Sequence, residues 1–145
     1  MSTLMVSISG IRGIVGAGLD PDVIVKYTNA YADFIGTGKV VVGRDARITG
    51  EMVNQIVTGT LIAKGLDVID IGICPTPTVQ FTVKTLNAQG GIAISASHNP
   101  NEWNALKLLN STGQFMSPEE HNQMKKFLDA DNSFVNWSKI GKRTV

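Results

Sequence analysis

The stretch KVVVGRDARITGEMVNQIVTGTLIAKGLDVIDIGI, residues 39–73, decides the architecture. It opens with the apolar run Lys39 to Gly43, which reads as a buried strand. From Thr49 the apolar positions change period: Met52, Val53, Ile56, Val57, Thr60 and Leu61 form one inward stripe of a helix that Gly65 ends. Asp67 to Ile73 is a second β-run. A strand, a helix and a strand in immediate succession are the unit from which parallel sheets are built.

The same alternation continues in both directions. Upstream, Asp20-Pro21 is a cap followed by a first-turn proline, and Val23, Ile24, Tyr27, Ala30, Tyr31 and Phe34 recur at helical spacing until Gly36 and Gly38. Downstream, Pro75-Thr76-Pro77 punctuates the chain before a shorter helix through Val79, Val83 and Leu86, and a strand follows at Gly91 to Ser95. Too few residues separate Ser95 from the apolar run Ala105 to Leu109 for a helical crossover, so that run pairs antiparallel with its predecessor. Ser117 and Glu120 are spaced as a capping box ahead of Met124, Phe127 and Leu128. The fold class expected is α/β: a three-layer α/β/α sandwich with right-handed crossovers and a mixed, mostly parallel sheet containing one antiparallel strand. Residues 1–130 form the domain, and 131–145, polar and holding Trp137, are a tail or linker.

Bulk properties narrow the function. The 145 residues suit one domain, and 43% hydrophobic against 17% charged residues describes a globule. A net charge of +1 gives no electrostatic reason to bind nucleic acid or an anionic membrane, so the expected partner is small. One cysteine, Cys74, and two histidines, His98 and His121, cannot assemble a structural zinc site or an internal disulfide. The first residues show neither a signal peptide nor a membrane span, which makes the cytoplasm the expected location. Asn110-Ser111-Thr112 matches a glycosylation sequon, a pattern short enough to arise by chance.

The chemistry is expected at Gly91-Ile92-Ala93-Ile94-Ser95-Ala96-Ser97-His98-Asn99-Pro100, where an apolar strand runs into a polar loop. In open α/β sheets ligands collect beyond the carboxyl ends of strands, and Ser97 lies there. Asn99 precedes Pro100 and is pushed away from helical dihedrals, so the loop should be stiff and extended. A plain polar turn is the bland alternative. A hydrolase elbow needs Gly-x-Ser-x-Gly, which Ser95-Ala96-Ser97-His98-Asn99 lacks. In an extended loop His98 would point away from Ser97, which disfavours a Ser-His dyad.

Two further segments, Ser9-Gly10-Ile11-Arg12-Gly13 and Gly43-Arg44-Asp45-Ala46-Arg47, put guanidinium groups at the same ligand edge. Such groups match phosphate oxygens in a bidentate way, although an ion pair between Asp45 and a neighbouring arginine would account for the second segment equally well. Gly36-Thr37-Gly38-Lys39 fails as a nucleotide loop, with Asp33 at its first glycine position and Val40 where Ser or Thr should stand. Gly16-Ala17-Gly18 fails as a dinucleotide fingerprint, with Pro21 at the third glycine.

With these motifs in order along it, the chain resembles the first domain of the α-D-phosphohexomutases, which include phosphoglucomutase, phosphomannomutase and phosphoglucosamine mutase. Ala93-Ile94-Ser95-Ala96-Ser97-His98-Asn99-Pro100 resembles the family's active-site serine loop, and Ser97 falls at its phosphoserine. Asn104-Ala105-Leu106-Lys107 resembles the family's Asn-Gly-x-Lys, with Ala105 replacing the usual glycine. The resemblance implies a phosphomutase that interconverts hexose 1-phosphate and hexose 6-phosphate, with a hexose 1,6-bisphosphate as intermediate and activator. It implies Ser97, His98, Lys107 and Arg12 as catalytic residues, and Arg12, Arg44, Arg47, Asn99 and Lys107 as ligands of the phosphosugar substrate. Mg2+ would contact this domain through the phosphate on Ser97, its remaining ligands lying in a second domain. Domain I would dock on further domains of the same chain and be inactive alone. A noncatalytic phosphosugar-binding module is the alternative.

Overall fold

The computed structural model describes residues 2–130 and 133–145; residues 131 and 132, at the start of the expected tail, lie outside the described residues. The elements are β1 (Met5–Ser7), β2 (Gly10–Ile14), α1 (Pro21–Ile35), β3 (Lys39–Arg44), α2 (Gly50–Ala63), β4 (Asp67–Ile73), α3 (Thr76–Thr85), β5 (Gly90–Ile94), β6 (Trp103–Leu109), α4 (Pro118–Lys125) and β7 (Arg143–Thr144). Among the described residues the strands form one sheet in the order β1-β2-β6-β5-β3-β4-β7.

The parallel part is β5-β3-β4-β7, joined by the helical crossovers that the alternating pattern requires. β6 returns antiparallel to β5, as its short connection demands. An amino-terminal hairpin extends the sheet beyond the one antiparallel strand expected: β2 pairs antiparallel with β6, and β1 with β2, so β1, at the sheet edge, is a second reversed strand in addition to β6. β1 is three residues long and half exposed, too short to show a hydrophobic period. Within the expected tail, Arg143 and Thr144 pair with Val68 and Ile69 of β4. An ion pair at 2.8 Å between Arg143 Nη2 and the buried Asp70 fastens that edge.

Strand alternation sorts the core into two layers. Val40, Val42, Ile92, Ile94, Leu106 and Leu108 pack under α1, α2 and α4 through Ile24, Tyr31, Val53, Val57, Leu61 and Met124. Val41, Ala93 and Leu109 face the other way, onto Val79 and Val83 of α3. Helices thus cover both faces, giving the α/β/α sandwich. α1 begins at Pro21 after the extended Asp20, and ends where Gly36 takes φ +87° and its N–H bonds the Ala32 carbonyl. The α4 capping box is formed in full by Ser117 and Glu120.

Candidate active site

Sheet register brings the site together. Arg12 on β2 pairs with Ala105 on β6, and Lys107, two residues further along β6, pairs with Ala93 on β5. Residues paired across neighbouring strands, and residues two apart on one strand, share a face. Arg12, Ala105 and Lys107 therefore stand on one side of the sheet, the side that α3 covers over β3 and β5. Gly10 allows β2 to approach: a Cβ there would collide with the Leu106 carbonyl oxygen, and its φ of +134° suits only glycine. At this edge a cavity of about 340 Å³ is lined by Ser9, Gly10, Arg12, Ala105 and Lys107, and by Ser95 to Asn99.

The serine loop differs from the extended segment expected. The Asn99 N–H donates to the Ala96 carbonyl at 3.0 Å, closing a tight turn, and Ser97 has φ +53°. Pro100 restricts only the residue directly before it, so Ser97 and His98 stay free to turn. A serine in the left-handed region is strained, and such strain persists only where surrounding contacts enforce it. Ser97 and His98 are exposed, and both line the cavity.

Lys107 Nζ donates to Ser97 Oγ at 2.6 Å. Partial burial lowers the Lys107 pKa from the ordinary lysine value; Asp45 opposes this and Arg47 adds to it. Arg12 Nε is buried with no hydrogen-bond partner among the described residues, an unused donor beside the same cavity. The site thus presents an exposed hydroxyl, an ammonium bound to it and a guanidinium with a free donor.

Two expected phosphate ligands stand elsewhere. Arg44 lines a separate cavity with Glu51, Asp70, Gly72 and Arg143, because strand alternation sends it with Val40 and Val42 to the face that α1 and α2 cover, opposite to Arg12 and Lys107. Arg47 does not line the serine cavity. Its Nε donates to Asp45 Oδ2 at 3.0 Å, and its remaining donors go to loop carbonyls. The Asp45 ion pair weighed as the bland alternative is present, yet it belongs to this larger clamp. Asn99, Lys107, Arg12 and His98 all line the serine cavity. Ser9, Gly10 and Ala105 are further cavity residues, visible in the quoted motifs but assigned no role. The buried Asn104 links β6 to the α2 entrance by donating from Nδ2 to Thr49 Oγ1 at 3.0 Å.

Residues 4–134 match the family model described as "Phosphoglucomutase/phosphomannomutase, alpha/beta/alpha domain I". The chain belongs to the phosphohexomutase family, as its first domain. A protein of Methanopyrus kandleri named "Probable phosphoglucosamine mutase" is 39% identical over 134 residues, covering 92% of this chain and 30% of that protein. The phosphoglucosamine/phosphogalactosamine mutase of Sulfurisphaera tokodaii is 38% identical, covering 90% and 29%. Among solved structures, a phosphoglucomutase/phosphomannomutase family protein from Burkholderia thailandensis superposes with a TM-score of 0.78 at 27% identity, covering 97% of this chain and 33% of that one. The phosphohexomutase domain spans less than a third of the length of these curated relatives.

Proposed function

We propose that this domain carries the phosphoryl group of a hexose-phosphate mutase on Ser97 and works with further domains of a longer protein. The supporting observation is the 2.6 Å contact from Lys107 Nζ to Ser97 Oγ in a cavity where Arg12 Nε has no partner among the described residues. A serine oxygen that alternately holds and releases phosphate needs a proton when the P–O bond breaks and must lose one when it forms. In this reading Lys107 supplies and recovers that proton, a role supported by its contact with Ser97 Oγ and by its lowered pKa.

In the forward half, the bond from phosphorus to Ser97 Oγ breaks and a bond to a hydroxyl of a hexose monophosphate forms. The hydroxyl loses its proton and Ser97 Oγ gains one. The bisphosphate product then turns over and returns its other phosphoryl group to Ser97, so the net reaction is an isomerisation. Arg12 and Lys107 supply positive field where charge develops, the main demand that phosphoryl transfer makes on a protein.

No group of three or more His, Cys, Asp or Glu side chains that could hold a metal ion exists among the described residues. These residues alone do not complete a Mg2+ site; a phosphate on Ser97 would be this domain's one ligand to the ion, and no step on this domain is assigned to it. Among the described residues no helix is long and apolar enough to cross a membrane. The test is mutase turnover of the full-length protein on glucose, mannose and glucosamine phosphates, beside Ser97→Ala. Turnover that survives the substitution removes Ser97 from its role.

A further inference from the structure

Arg47 stands apart in having every guanidinium donor committed to one task. Nε donates to Asp45 Oδ2 at 3.0 Å. Nη1 donates to the carbonyls of Pro100 at 2.6 Å and Trp103 at 3.3 Å, and Nη2 to those of Ser97 and Asn99, each at 2.9 Å. A guanidinium has five N–H donors in a rigid plane, and here all five are used. The side chain is only 10% exposed. Asp45 is itself fixed: its N–H donates to the Ile94 carbonyl at 2.9 Å, and its Oδ1 accepts the Arg47 N–H at 3.1 Å. The clamp therefore connects the end of β3, the end of β5 and the start of β6.

Four carbonyls between Ser97 and Trp103 converge on one cation, and carbonyls so directed dictate the path of the chain between them. The left-handed Ser97 lies within that span. Holding it there costs conformational energy, which charge-assisted hydrogen bonds to the adjoining carbonyls can offset. Lysine could not substitute, because its three donors radiate from a single point and cannot reach four carbonyls and a carboxylate together.

We propose that Arg47 is a positioning residue that shapes the serine loop and fixes where Ser97 Oγ meets Lys107, and that it is not a ligand of the substrate phosphate. This deepens the mutase reading and rests on it for the catalytic consequence alone. The decisive variant is Arg47→Lys in the full-length protein, which keeps the charge and removes the fork. Hydrogen exchange is followed at the Asn99 and Trp103 amides, which are bonded to the Ala96 and Pro100 carbonyls.

The expected result is exchange at least about tenfold faster at those amides, with Ile92 on β5 unchanged. Alongside it, kcat falls about a hundredfold while KM stays within about threefold, as misplacement of a reacting group predicts. Unchanged exchange overturns the proposal, as does a loss carried by KM alone, which marks a phosphate ligand. General unfolding of Arg47→Lys also overturns it, since the clamp would then sustain the fold and not the loop. If the wild type lacks mutase activity on every hexose phosphate, the mutase reading fails while the exchange result still judges the clamp.

Discussion

Lys107→Met removes the ammonium from Ser97 while keeping an unbranched stem of similar length on β6. Two opposite unit charges about 4 Å apart, the spacing a phosphate on Ser97 Oγ would set, attract by about 4 kcal/mol at an effective dielectric of about 20. That is an upper bound here, because Ser97 is exposed and water screens the pair. Deleting a single donor at a developing oxyanion costs about 3–4 kcal/mol in enclosed sites. For this more open cavity about 2.7 kcal/mol is the better expectation, equivalent to roughly a hundredfold in rate. The assay is single-turnover transfer from phosphorylated Ser97 to a hexose monophosphate, with thermal unfolding to check the fold. Transfer within about threefold of wild type in a folded variant would refute the proton and charge role of Lys107.

Other perturbations address the frame and its pH response. The buried Tyr31 hydroxyl donates to the Leu109 carbonyl at 2.6 Å and accepts the Gly91 N–H at 2.9 Å, joining α1 to the β5–β6 pair. Tyr31→Phe strands both groups at about 1–2 kcal/mol each, so the melting temperature should fall by roughly 5–12 °C; a fall under about 2 °C contradicts that accounting. Burial lowers the His121 pKa below 6.5, Lys125 lowers it further, and a bond to the Ser7 backbone partly opposes both. A depressed histidine favours the fold above its unfolded pKa, and that contribution is lost as pH falls through the folded value. Denaturant midpoints should therefore drop from about pH 7.5 to about pH 5 and drop less in His121→Gln; equal slopes would dismiss His121 as their source.

The parallel half of the fold was legible because Lys39 to Ile73 carries both hydrophobic periods, bounded by Gly38 and Gly65. Asp67 and Ile73 mark the limits of β4 just as read. The β1–β2 hairpin and β7 were hidden because strands of two to five residues, mostly at a sheet edge, owe their existence to a partner and not to a pattern of their own. At the site, motif order gathered Arg12, Ser97, His98, Asn99 and Lys107 at one edge. It could not separate Arg44 from Arg47 or either from a phosphate, because the direction of a guanidinium depends on register across β3, β4 and β5. The turn at Ser97 was equally invisible: nothing local favours a left-handed serine, and the carbonyls that enforce it answer to Arg47, 50 residues earlier.

The most direct measurement is intact mass of the native full-length protein with the modified peptide mapped, before and after incubation with hexose monophosphate. The phosphohexomutase account predicts one phosphoryl group on Ser97, which leaves with the sugar as bisphosphate and is absent from Ser97→Ala. A protein that turns over hexose phosphate while Ser97 is never modified would contradict it.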